Sequence, residues 1–292
     1  MHHRRSTRRA LLLVTLAAIA WGTGGATGAL LSEYAGLTPT ATSFWRLAAA
    51  ALWLTLARPA ARRATGPSVR PALRRGAVRP FGALPLHYVL SGAGLAICQL
   101  GYFAAIPRIG IGLATVIAVG AGPILITLGA RERLTAALVG AVAGLALLTL
   151  DTAATPTNLA GLAAALLSAV GYSVTTLLNR NATDPITSAH VGLTTGALVL
   201  IPFAVTAGIL PTSLIGWALI AFFGLIPTAL AYTLFYAALR TLPASTAAVI
   251  ALLEPVVATA IGLLAFHERL TPTAALGALV LLTAVAAQAR RR

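Results

Sequence analysis

Ten apolar runs divide the chain, at about 10–31, 38–57, 82–106, 111–130, 135–151, 159–179, 187–210, 214–239, 243–266 and 271–289. Most approach the ~20 residues that cross ~30 Å of hydrocarbon as a helix. In lipid, only helices and closed barrels satisfy every backbone polar group. A barrel strand would alternate polar and apolar positions over about ten residues, whereas these runs are continuous. The pattern predicts an all-α integral membrane protein, a single membrane domain over 1–292 with ten transmembrane helices. The first run follows MHHRRSTRR and contains Ala18-Ile19-Ala20, a layout shared with cleaved secretory signals. Its apolar stretch continues through Trp21 to Leu31, long enough to span, so it is read as an uncleaved first helix.

Composition agrees. The chain is 58% hydrophobic and 9% charged, with a mean hydropathy of +0.89. A soluble domain carries about 25% charged residues, and 9% cannot cover a water-exposed surface. Lipid is the implied solvent and a partner of the chain. The net charge of +15 could suit nucleic acid, but the arginines sit in the short breaks between apolar runs, so no nucleic-acid partner is expected. With the breaks alternating from an inner N-terminus, eighteen of the 21 basic residues fall on one side. Only Arg108 and Arg269 fall on the other, and Arg46 lies inside the second run. That bias places both termini in the cytoplasm of a multi-pass protein, expected in a bacterial cytoplasmic membrane. Segment 58–80 reads as a basic cytoplasmic loop facing lipid headgroups. The single cysteine, Cys98, allows no intrachain disulfide and reads as a small core residue.

Short segments recur in order. YFAAI at 102–106 matches FYAAL at 235–239, and ATVIA at 114–118 matches AAVIA at 247–251. The tetrapeptide Glu-Arg-Leu-Thr occurs at 132–135 and again at 268–271, and Pro39 and Pro185 open two runs alike. The pattern predicts a duplicated five-helix unit, repeat one about 10–151 and repeat two about 159–289. Five is odd, so the copies are inverted in the membrane, the construction of many secondary transporters. Thr135 and Thr271 are placed to cap the helix that follows each turn.

These features together resemble the drug/metabolite transporter superfamily, in particular its EamA-type ten-helix exporters. The resemblance is carried by Trp21-Gly22-Thr23, Arg46, YAALRTLPAS at 236–245, Leu253-Glu254-Pro255 and the two Glu-Arg-Leu-Thr turns. The first repeat departs from the pattern in GAGPILITLGARERL, which is shorter than usual before its turn. The resemblance implies a basket of helices around a central cavity, with the fifth and tenth helices peripheral. It also implies export of small metabolites and no enzyme chemistry.

Candidate chemistry lies deep in the runs. Glu254 is near the middle of 243–266, where a charge costs at least roughly 2.5–3.5 kcal/mol to insert. It reads as a substrate-site group and a candidate proton carrier, with helix locking as the alternative. Pro255 supplies no N–H, so the helix should loosen there. Arg46 shares a helix face with Thr42, Ser43 and Ala50, and calls for a carboxylate: Glu254 or one on a substrate. Ser168, Tyr172, Thr175, Thr176 and Asn179 form a polar stripe, as do Thr228, Tyr232 and Tyr236 beside Pro227, and Gln99 next to Tyr102. From these, Arg46, Gln99, Tyr102, Tyr172, Tyr232, Tyr236 and Glu254 are the candidate substrate-binding residues, and Pro227 and Pro255 the candidate helix-break or gating positions.

Gly24/Gly28, Gly140/Gly144 and Gly192/Gly196 read as close-packing surfaces and leave a homodimer open without supporting it. Asn181-Ala182-Thr183 matches a glycosylation triplet but falls on the inner side. His87, His190 and His267 are scattered, so no metal or cofactor site is predicted. The function expected is alternating-access transport, in the exporting direction, of small organic metabolites, amino acids or drugs, with proton coupling open. The alternatives are a passive small-solute channel and, less favoured, an intramembrane lipid-modifying enzyme.

Overall fold

A computed structural model of the chain describes residues 2–64, 86–149, 158–180, 182, 184–267 and 269–290. Most of the basic loop, the ends of the glycosylation triplet, and Glu268 lie outside the described residues. Ten helices cross or line the bundle among the residues described. They are α1 (His2–Ala35), α2 (Pro39–Ala64), α3 (Leu86–Ile109), α4 (Ile111–Gly129), α5 (Ala136–Thr149), α6 (Leu159–Asn179), α7 (Pro185–Thr206), α8 (Leu214–Leu239), α9 (Ala244–Ala265) and α10 (Pro272–Arg290). Eight are long and apolar enough to span by length and composition. The other two are α2, which carries Arg46, and α5, with 14 residues. Helix α1 runs unbroken through Ala18–Ala20. Large apolar side chains such as Leu52, Val139 and Leu264 face outward, as lipid exposure requires.

Local chemistry sets the helix starts. Thr38, Asn158, Asp184 and Ser213 each accept a hydrogen bond from a backbone N–H of the following turn, satisfying donors that a helix start leaves free. Both Pro39 and Pro185 sit at the first helical position, where a missing N–H costs little. The two Glu-Arg-Leu-Thr turns share a start signal too. Thr135 Oγ1 accepts from Leu138 N at 3.1 Å, and Thr271 Oγ1 from Ala274 N at 3.2 Å.

Packing partners come in pairs related by a shift of five helices. Helix α1 packs on α8 and α9 as α6 packs on α3 and α4, and α2 packs on α8 as α7 packs on α3. The remaining large contacts, α2 with α7 and α5 with α10, map onto themselves. Glycine brings several of these pairs together. A Cβ on Gly144 would lie 2.8 Å from the Gly277 carbonyl oxygen, and one on Gly92 would lie 2.5 Å from the Gly192 carbonyl oxygen. Two of the three predicted glycine pairs therefore pack closely. The third does not: Gly24 meets the Phe223 ring, but nothing lies within 4 Å of a Cβ on Gly28. The tightest seam absent from the predictions joins α3 to α6 through Gly94, Gly101 and Gly171.

Three helices lose regular α geometry in mid-span. Helix α4 makes a π-turn at Val116–Gly120 and α8 another at Leu225–Leu230. Helix α9 breaks between Ala251 and Leu253, where Leu252 N bonds back only three residues, to Val249 O. In α8 the cause is visible. Pro227 cannot donate to the Phe223 carbonyl, and Thr228 Oγ1 donates to it instead at 2.8 Å. In α4 the π-turn coincides with a difference in spacing between two similar segments. Five positions separate Ala118 from Pro123, and four separate the matching Ala251 from Pro255. A π-turn is how a helix absorbs a single insertion.

Candidate functional site

The breaks in α8 and α9 place the two deep charges. Glu254 follows the α9 break directly, in the first turn of the resumed helix, one residue before Pro255. Gly22 on α1 approaches there closely enough that a Cβ would lie 3.1 Å from the Glu254 carbonyl oxygen. Arg46 projects from α2 with its guanidinium carbon 4.9 Å from the centroid of the Phe223 ring, a cation–π distance. Phe223 is held at the start of the π-turn by the Thr228 bond described above. The Arg46 Nε is buried with no hydrogen-bond partner. Such a group normally finds one, and a carboxylate is the partner its planar fork fits best.

Among the described residues no ion pair within 4.0 Å joins Arg46 to Glu254. The direct pair anticipated from sequence is thus not formed. Helix α1 links these groups, with Gly22 at the Glu254 carbonyl, Gly24 against the Phe223 ring and Trp21 against Tyr232. Five of the seven predicted residues, Arg46, Tyr172, Tyr232, Tyr236 and Glu254, therefore share one interior region. Its aromatic wall is continuous. Trp21 lies edge-on to Tyr232 at 5.2 Å and against Phe235 at 5.1 Å, and Tyr172 stacks on Phe235 at 6.5 Å. The Tyr102 hydroxyl bonds Thr115 of α4 at 2.8 Å. Glu254, Tyr102 and Tyr172 are each partly accessible despite their depth in the bundle.

Gln99 and Tyr102 both lie on α3, while Tyr236 extends the aromatic wall, with its ring 5.8 Å from Tyr232 and 6.2 Å from Phe235. Gln99 is buried. Tyr236 lies one turn beyond Tyr232, fully buried, with its hydroxyl unpaired. It sits beside Ser91, whose hydroxyl already accepts from Asn179 Nδ2 at 2.6 Å.

The α6 stripe splits in the same way. Ser168 donates to the Cys98 carbonyl at 2.8 Å, Thr175 to the Ser91 carbonyl at 2.9 Å, and Asn179 accepts from Ser188. These side chains bind α6 to α3 and α7, and of the stripe only Tyr172 reaches the Glu254 region. Close approach at Gly94 and Gly171 brings the α3 carbonyls within reach, so the hydroxyls are used for packing. Sequence reading missed Phe223, Trp21 as an aromatic wall, and the long-range role of Glu132. The Phe223 signal lay in its position four residues before Pro227.

The comparisons with known proteins bear on the family and the fold. A family model described as the EamA-like transporter family matches residues 156–288. A relative from Bacillus subtilis (strain 168), "Uncharacterized transporter YwfM", is 31% identical over 91% of this chain and 88% of its own length. The chain belongs to the EamA-like transporter family. As an EamA-type protein it is a multi-pass membrane transporter of the drug/metabolite class, and small molecules are what that class moves. A solved crystal structure at 23% identity matches the EamA fold seen here with a TM-score of 0.74, over 97% of this chain and 99% of the other.

Proposed function

We infer that this transporter exports small organic metabolites, amino acids or drugs by alternating access. In this reading two inverted five-helix repeats, about 10–151 and 159–289, enclose a cavity near the midplane, with both termini in the cytoplasm of a bacterial cell. The carrying observation is the pair of unlike charges, Arg46 and Glu254, held deep in one aromatic-lined region without being bonded to each other. Two mid-span charges of opposite sign that leave each other unpaired can each take a group from a bound solute. Tyr102, Tyr172 and Tyr232 suit a solute with an apolar or aromatic body. The paired neighbours of the helices, and the irregular turns of α4 and α9 just after ATVIA and AAVIA, support the duplicated design. Broken helices at a repeat interface are the usual place for a transporter's site.

Glu254 is the proposed proton carrier, and the loosened turns at Pro227 and Pro255 are the proposed flexing points. The test is uptake by proteoliposomes across a panel of amino acids, their analogues and drugs, with and without an imposed proton gradient. Saturable, gradient-driven flux with counter-transport supports the reading. Linear flux without counter-transport points to a channel instead.

A further inference from the structure

The Glu132 carboxylate reaches out of its own turn. It accepts from the backbone N–H of Ala244 at 3.1 Å and of Ser245 at 3.3 Å, and from the Ser245 hydroxyl. These are the first residues of α9. Pro243, which precedes them, supplies no side-chain cap, so the donors at that helix start are met by a carboxylate from the turn after α4. A second link runs alongside. Thr135 Oγ1 donates to Gln288 Oε1 at 3.2 Å, and Gln288 Nε2 donates to Thr246 Oγ1 at 3.1 Å.

The bundle is sealed where these bonds lie. Every residue from Ala244 to Leu252 is buried, at 6% exposure or less. Past the α9 break this changes: from Leu253 to Ala265 only Gly262 is buried. The pseudo-equivalent helix α4 begins after Gly110, at φ 77°, a residue with no side chain of its own to cap it. One end of the pathway is therefore fastened by carboxylate hydrogen bonds from the turn after α4 to α9, and both helices are irregular in mid-span.

We propose that Glu132 is a latch: by capping α9 it holds its own end of the transport pathway shut and biases the transporter toward the state open at the opposite end. The proposal rests on the alternating-access reading above. Hydrogen bonds from N–H groups to a carboxylate are stronger than neutral ones, and the positive end of the α9 dipole adds to them. Opening that end would hydrate the carboxylate and the N–H groups together, so the bonds are exchanged for water and the latch is reversible. A latch of this kind shifts the population between two states in proportion to its preference for one of them.

The test uses Cys98→Ala as background with one reporter cysteine at a time, Ala247→Cys in the first half of α9 or Ala258→Cys in the second. Rates of reaction with a water-soluble maleimide are measured in proteoliposomes labelled from both sides. Glu132→Gln keeps the size of the side chain and removes its charge. Ser245→Pro removes one backbone donor and the hydroxyl from the other partner, at a helix position where proline is tolerated. The latch predicts that either variant raises the rate at position 247 by roughly tenfold or more and lowers the rate at position 258. Glu132→Asp should fall between Gln and the native residue. Unchanged rates at both reporters overturn the latch. A rise at both means a loosened bundle and overturns it as well. A rise at 247 with no fall at 258 overturns instead the two-state reading on which the latch rests.

Discussion

Arg131 and His267 both adopt a left-handed backbone, at φ 57° and 53°, each immediately before a Glu-Arg-Leu-Thr turn. Non-glycine residues seldom adopt that conformation. At Arg131 it forms a helix stop, with Glu132 N bonded to Thr127 O at 2.9 Å and Arg131 N to Leu128 O at 3.0 Å. Those bonds satisfy carbonyls that the end of α4 would otherwise leave free. The stop also turns the chain so that the Glu132 side chain points across to α9. A short exposed-looking motif thus does two jobs, ending one helix and starting another.

The proposed inverted repeat predicts the sidedness of the two turns. Arg133 and Arg269 are both exposed. With Cys98→Ala as background, Arg133→Cys should react with an impermeant maleimide from the cytoplasmic side only, and Arg269→Cys from the opposite side only. Labelling of both from one side removes the inverted repeat.

Arg46 and Glu254 should act as two separate groups. Charge-assisted hydrogen bonds contribute about 1.5–3 kcal/mol, so Arg46→Ala should raise KM by roughly 10- to 100-fold at 1.4 kcal/mol per decade. Glu254→Gln should leave counter-transport detectable while abolishing the response to a proton gradient. Because the two are not bonded, exchanging them as Arg46→Glu with Glu254→Arg should restore nothing. Flux in proteoliposomes checks all three.

Glycine at the α5–α10 seam should be indispensable. A Cβ on Gly144 would come within 2.6 Å of the Leu281 backbone nitrogen, and backbone cannot yield as a side chain can. Gly144→Val should destabilise the protein by about 1–3 kcal/mol or more, seen as a lower Tm in detergent. Gly28→Ala is the control, with open space at its Cβ. It should hold or slightly raise the Tm, since alanine restricts the unfolded chain by about 0.4–1 kcal/mol relative to glycine.

Thr228→Val should cost about 1–3 kcal/mol, because it leaves the buried Phe223 carbonyl without a donor. It should also raise KM, since Phe223 carries the ring beside Arg46. Adding Pro227→Ala supplies a backbone N–H in reach of that carbonyl and should recover most of the loss. Additive losses in the double variant would falsify this account of the α8 π-turn.

The span positions were legible in the sequence because lipid imposes one solvent on long continuous stretches. The capping by Thr135 and Thr271 was legible because it is local. Arg46 and Glu254 stood out because a charge in mid-span is costly wherever it occurs. What escaped depends on neighbours brought from elsewhere in the chain. Ser168, Thr175 and Asn179 look the same on a helical wheel whether they face water or the carbonyls of α3, and only the close approach at Gly94 and Gly171 decides. The reach of Glu132 to Ala244 spans 112 positions, and no pattern within the turn contains it. The π-turn at Val116–Gly120 was countable in principle, as one residue too many before Pro123, but the count has meaning only once the two copies are aligned.

That extra residue has a companion. Nine positions lead from Pro123 to Glu132, whereas thirteen lead from Pro255 to Glu268. Four residues of helix amount to about 6 Å of rise and little more than one full turn. Trimming them shortens α4 while leaving its side chains facing nearly the same way, and the π-turn keeps the extra residue from rotating the rest by about 100°. In the alternating-access reading proposed above, the two vestibules would be unequal in depth, so the two resting postures would not be mirror images and would differ in free energy before any cargo or ion arrives.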